Sequence, residues 1–220
     1  MSASDPETTE DGLLVPRRRP AQARSRERYE RILKAGREVL VEVGFESFTF
    51  DEVARRAGVP IGTLYQFFAN KYVLICELDR QDTAASVAEL ERFSQQVPAL
   101  QWPEVLSEFI DHLARLWRED PSRRAVWHAV QSTPATRQTA RHTEREMIDR
   151  LIDVLAPLNP QAPVEVRRRL AAFLLHTGSS VLNFAVRDLD EGEDADAYFD
   201  GVVGEIKRML IAYLFAVAQA

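Results

Sequence analysis

Residues 48–71 read FTFDEVARRAGVPIGTLYQFFANK, and this order of helix starts and stops admits few arrangements. Thr49 precedes an apolar-periodic run and Glu52 follows three residues later. That is the spacing of a capping box, in which the hydroxyl serves a first-turn N–H and the carboxylate reaches back to the cap. The pattern predicts a helix over about 50–57, with Val53, Ala54 and Ala57 on its inner face. Gly58 stands where a helix stops in a left-handed conformation that glycine adopts cheaply. Val59-Pro60 leads into a second helix over about 61–67, with Pro60 near the first turn, where a missing N–H does no harm. Leu64 and Phe67 turn inward, which leaves Ile61, Gly62, Thr63, Tyr65 and Gln66 outside.

Two short helices about a tight turn, the second with a polar outer face, make a helix-turn-helix. Ile61 and Gly62 are small enough at the helix start to let the backbone approach DNA. Thr49, Thr63 and Tyr65 offer hydroxyls to phosphate oxygens, Gln66 offers an amide to a base edge, and Lys71 offers an ammonium to a phosphate. The competing reading is a helical hairpin whose polar face is merely hydrated. The joint spacing of these residues disfavours it.

Phe48-Thr49, Val53-Ala54, Ala57-Gly58-Val59, Gly62-Thr63-Leu64-Tyr65, Phe68, Lys71 and Leu74 together resemble the DNA-binding signature of the TetR (tetracycline-repressor-like) family. The likeness covers residues 24–74, about a quarter of the chain. Pro60 stands where members often carry Ser or Thr as a cap and DNA contact. The resemblance implies an all-α, homodimeric transcriptional regulator, usually a repressor of a double-stranded operator released by a small-molecule effector. It also implies dimerisation through the last two long helices as a four-helix interface.

The net charge is −6, which does not suit a general DNA coat. The charge is uneven, however. Residues 13–72 hold 12 basic and 7 acidic side chains, a balance of +5, and the remainder carries −11. A basic front on an acidic body suits a protein that offers one face to phosphates. The single cysteine, Cys76, falls on an apolar helical position and reads as a buried thiol, with a redox role the lesser alternative. No apolar run approaches the ~20 residues of a membrane span, and the acidic start is unlike a signal peptide. The expectation is a cytoplasmic protein without membrane contact.

Residues 1–23 lack periodicity and contain Pro6, Pro16 and Pro20, so they read as a disordered arm with a basic end. Arg17, Arg18, Arg19 and Arg26 are then candidate DNA contacts, with a solubilising tail as the alternative. Residues 24–70 form the helix-turn-helix domain and 71–220 a helical ligand-binding and dimerisation domain. Helices are expected over about 24–43, 71–95, 103–118, 121–132, 134–155, 164–186 and 195–218. Breaks are expected at Val97-Pro98, at the loop marked by Pro157, Pro160 and Pro163, and at the acidic loop 188–196. Asn70 reads as the cap of the fourth helix. Gly178 interrupts a helix at a cost of ~1 kcal/mol relative to alanine, which predicts close packing there. The last helix is apolar on two sides, which predicts a partner subunit.

Enzyme chemistry finds no catalytic constellation here. The four histidines are scattered without metal-ligand spacing, and the acidic loop fails the calcium-loop pattern. No cofactor is implied. Trp117, Trp127, Gln131, Phe173, His176, Thr177 and Ser180 are candidate ligand contacts, as polar and aromatic groups on apolar helices. Each could equally be a satisfied core or interface group, and His176, Ser180 and Asn183 equally fit a polar strip in a dimer interface. A ligand-binding or catalytic body whose head no longer reads DNA is the second reading of the whole chain. Activation instead of repression would depend on the operator's position.

Overall fold

The computed structural model describes residues 13–95, 102–156, 161–187 and 195–218, and every regular element among them is helical. In order these are α1 (Ala23–Val43), α2 (Phe50–Ala57), α3 (Ile61–Phe67), α4 (Lys71–Gln95), α5 (Trp102–Glu119), α6 (Pro121–Gln131), α7 (Pro134–Leu155), α8 (Val164–Arg187) and α9 (Ala195–Ala218). Each expected helix is present, to within a residue or so at its ends. The break at Val97-Pro98, the acidic segment 188–194 and the start of the arm, 1–12, lie outside the described residues.

The chain divides into two compact units, Met1–Thr83 with Pro121–Thr143, and Ala84–Asp120 with Glu144–Ala220. The unit that holds the helix-turn-helix is therefore larger than residues 24–70. It continues along α4 to Thr83 and takes in α6 and the first part of α7.

In this first unit α1 packs on α2 and on α6, and α2 packs on α3. The apolar stripe of α1, including Ile32, Val39 and Leu40, is buried, as are Val126, Ala129 and Val130 of α6. Gly36 allows α1 to press on α4: a Cβ there would lie 3.1 Å from Leu74 Cδ2. Arg37 of α1 forks onto Asp82 of α4 at 2.7 and 3.0 Å and donates to the Leu78 carbonyl at 3.3 Å. Tyr29 stacks on Phe68 and meets Phe67 edge-on, with 5.2 Å between centroids in both pairs. Cys76 is buried, as its apolar position predicts.

The disordered reading of the arm is not met over residues 13–22. Leu14 is 1% exposed in the same core as Leu64, Phe67 and Phe68. Its N–H donates to Thr139 Oγ1 of α7 at 3.0 Å. Two prolines suppress helix periodicity in this segment, and a single buried leucine was too slight a signal to mark it as anchored.

In the second unit α9 packs on α5 and α8, and α5 also meets α8. Val105, Phe109, Ile110 and Trp117 of α5 are buried, as are Phe199, Val203, Ile206 and Leu210 of α9. Lys207 pairs with Asp111 at 2.5 Å, and Arg118 lies over the Phe199 ring at 5.2 Å. The close packing expected at Gly178 is not found among the described residues, since a Cβ there would meet none of them within 4 Å.

Candidate nucleic-acid interface

Local chemistry sets the frame of the helix-turn-helix. The Thr49 hydroxyl accepts from the Glu52 N–H at 3.4 Å, which is half of the expected capping box. The Glu52 carboxylate does not reach back. It takes Arg55 at 2.5 and 2.8 Å and Arg56 at 3.0 Å. Two guanidiniums one turn along outcompete a single backbone N–H. Hydrogen bonding from Arg55, aided by Arg56, holds the Glu52 carboxyl at about 2. Arg56 also meets Glu42 at 2.6 Å, so both arginines of α2 have carboxylate partners. Gly58 ends α2 in the left-handed region, φ 62° and ψ 41°.

Pro60 takes the cap position of α3 with its carbonyl accepting the Thr63 N–H at 2.8 Å, and no side chain caps the helix. Leu64 and Phe67 are buried. On the opposite face Ile61 is 37% and Tyr65 46% exposed, and Gly62 and Gln66 are exposed beside them. Thr63 is half-buried. The ring of Tyr65 rests edge-on against Phe50 of α2, 5.2 Å between centroids. Its aromatic body is thereby fixed while its surface remains open. Pro60, Ile61, Gly62, Tyr65 and Gln66 thus form one exposed strip, with Thr49 exposed at the start of α2.

Asn70 caps α4, its Oδ1 accepting the Val73 N–H at 3.1 Å. Lys71 follows in the first turn, where the helix dipole disfavours a cation. Its Nζ donates to the Phe45 carbonyl at 3.1 Å and lies 4.5 Å from the Phe45 ring centroid. Those two contacts offset the dipole and staple α4 to the loop between α1 and α2.

The basic arm does not act as a unit. Arg17 donates through its backbone to the Phe67 carbonyl at 2.9 Å and through Nη1 to the Tyr65 carbonyl at 3.2 Å. Arg18 is exposed, whereas Arg19 approaches the buried Glu77 at 3.9 Å. Arg26 is exposed in the first turn of α1. Sequence reasoning missed the attachment of Arg17 to α3, because a long-range bond to a carbonyl leaves no periodic trace.

The candidate ligand residues are distributed over α5, α6 and α8. Trp127 is half-buried and Gln131 exposed on α6, in the first unit. Trp117 is buried on α5, in the second. Phe173, His176 and Ser180 are exposed on α8, with Thr177 half-buried beside them. Phe173 meets Tyr213 of α9 at 4.4 Å, and His176 Nδ1 lies 3.0 Å from Glu144 Oε1. With Phe184, 46% exposed, they form an open face of α8, whereas Asn183, which helical spacing groups with His176 and Ser180, is half-buried. A hollow of ≈ 390 Å³ is lined by Pro103, Glu104, Ser107 and Glu108 of α5 and Ile211 of α9, and includes none of the seven candidates.

Residues 32–78 match the family described as bacterial regulatory proteins, tetR family, and residues 100–218 match the tetracyclin repressor-like C-terminal domain. The fold is similar to that of a TetR-family transcriptional regulator from Streptomyces coelicolor, at 24% identity and a TM-score of 0.64, over 86% of this chain and 99% of that one. It is also similar to the fatty acid degradation regulator FadR of Bacillus halodurans, at 17% identity and 0.67, over 84% and 94%. A third likeness is to FadR of Bacillus subtilis in complex with stearoyl-CoA, at 21% identity and 0.62, over 81% and 97%. No curated protein matches in sequence.

Proposed function

Since the chain belongs to the TetR family of transcriptional regulators, we propose that it is a homodimeric repressor that reads a pseudo-palindromic operator with α3 and is released by a small molecule bound in its C-terminal body. The observation that carries this reading is the strip of Pro60, Ile61, Gly62, Tyr65 and Gln66, exposed above a buried Leu64 and Phe67. A short helix held from beneath, with an uncluttered outer face, can enter a major groove. Ile61, Gly62 and Gln66 face bases in this reading, while Thr49, Thr63, Tyr65 and Lys71 hold phosphates. Two such helices on a two-fold axis would meet half-sites about 35 Å apart or a small multiple of it.

The dimer is assigned to α8 and α9. Phe173, Phe184, Tyr198, Met209 and Phe215 of these helices are each at least 39% exposed in the single chain. Gly178, with no neighbour for a Cβ, fits close approach by the same helices of a second copy. An effector that favours one spacing of the two heads over another would change operator affinity by linkage. The complex of FadR of Bacillus subtilis with stearoyl-CoA supports a small-molecule effector for this fold.

The test is binding of the purified protein to DNA flanking its own gene, against scrambled DNA of equal length, at two salt concentrations. Preference for the flanking DNA with a steep salt dependence supports a local repressor and supplies an assay for releasing ligands. Weak and equal binding to both removes the local operator from the proposal.

A further inference from the structure

We propose that residues 14–19 form a strap that positions α3, with Arg17 as its positioning residue; this rests on the reading of α3 as the DNA-reading helix. The need for a strap follows from α3 itself. It is seven residues long, has no side-chain cap at its start and no basic residue in its last turn. A helix of that length does not persist by itself, and its last carbonyls need partners from elsewhere.

The strap supplies them. The Arg17 N–H closes the Phe67 carbonyl at 2.9 Å and Arg17 Nη1 closes the Tyr65 carbonyl at 3.2 Å. The guanidinium thereby brings a positive charge to the negative end of the helix dipole. Three residues earlier Leu14 is plugged into the core, and its N–H is bonded to the buried Thr139 Oγ1 of α7. Two residues later Arg19 lies 3.9 Å from Glu77 of α4, a carboxylate that is 2% exposed and held by Arg80 at 2.5 Å. One hexapeptide thus touches α7, α3 and α4, at residues that all lie within one compact unit. The segment that meets the last turn of α3, with Tyr65 and Gln66 on its outer face, is anchored by the buried Leu14 on one side and by the approach of the exposed Arg19 to the buried Glu77 on the other. Arg17 in this account aims the reading face and does not itself grip the DNA.

Hydrogen exchange of the full-length protein without DNA tests the strap independently of the DNA reading. Arg17→Ala is expected to speed exchange of the amides of residues 65–68 by about fivefold, the loss of one charge-assisted bond. Arg18→Ala, which removes the same charge from the exposed neighbour, is expected to change them by less than about twofold on the same scale. Arg17→Lys, which keeps a donor for the Tyr65 carbonyl, is expected to restore most of the protection. Unchanged exchange in Arg17→Ala, or equal acceleration by Arg18→Ala, overturns the strap. With operator DNA, Arg17→Ala is expected to weaken cognate binding while leaving the salt slope as it was. A slope shallower by about 1 places Arg17 on a phosphate and overturns the positioning role. If the wild-type protein prefers no DNA sequence, the DNA reading fails while the exchange result still decides the strap.

Discussion

Two glycines in the helix-turn-helix have opposite uses. Gly58 sits at φ 62°, and a Cβ there would meet only Arg31 Nη1 at 3.9 Å, so the penalty of a side chain is backbone strain and not crowding. Gly58→Ala is expected to lower stability by about 1–2 kcal/mol in urea unfolding, with Gly58→Asn closer to wild type. Gly62 has no positive φ and open space around its Cβ position. Gly62→Ala is therefore expected to raise stability, by up to ~1 kcal/mol from helix propensity. The same methyl stands on the face proposed to approach DNA, so operator affinity is expected to fall. A variant that is more stable and binds as tightly would show that α3 does not need its backbone near the duplex. Cys76 offers a pH test. Burial, ahead of the nearby Asp79 charge, pushes its thiol from 9.0 up to about 12. The native thiol is expected to resist a thiol-specific reagent at pH 8 and to react only on unfolding. The unfolded chain ionises first as pH rises, so its contribution to stability is intact below pH 9 and declines from there towards 12.

At the scale of the element, α3 and the start of α4 divide the proposed work of holding DNA. Gln66 is exposed on α3, and Gln66→Ala is expected to cost ~1–3 kcal/mol at one base position and to leave the salt slope alone. Lys71→Ala is expected to weaken binding to all sequences and to make the slope shallower by about 1. The structure adds a second consequence. The Phe45 carbonyl and ring lose their cation, so thermal stability is also expected to fall, by about 1 kcal/mol. Titrating both variants on cognate and scrambled operators, with a melting curve for each, separates these roles. Equal losses on both DNAs for both variants would leave no base-reading function for Gln66. The helices themselves were largely legible in sequence. Gly44, Gly58, Asn70 and the prolines at the starts of α6, α7 and α8 act through backbone chemistry within a few residues, and such signals survive without tertiary context. The return of Glu52 to its cap was not legible, because Arg55 and Arg56 compete for the same carboxylate.

For the whole molecule, the proposed dimer is the feature on which the proposed operator binding would depend. Phe184 is 46% exposed on α8, and Phe184→Glu is expected to give a monomer in light scattering. Loss of the second head should then lower operator affinity by on the order of 10²–10⁴, while the helical signal stays unchanged. A Phe184→Glu protein that remains a dimer would move the interface away from this face of α8. Among the described residues no helix is long and apolar enough to cross a membrane.

The sequence by itself determined the helices, the helix-turn-helix and the outward strip of α3, because periodicity, caps and turn residues act over short separations. It also placed His176, Ser180 and Asn183 on one side of α8. Only the tertiary structure decided that His176 and Ser180 are exposed and Asn183 half-buried, that Lys71 is stapled to Phe45, and that α6 belongs with the helix-turn-helix unit. It alone decided that a Pro- and Arg-rich arm is anchored by Leu14 and Arg17. These outcomes depend on partners far apart along the chain: Leu14 and Thr139 are 125 residues distant. Such a contact leaves no period in the sequence, since its partners share only the space that folding gives them.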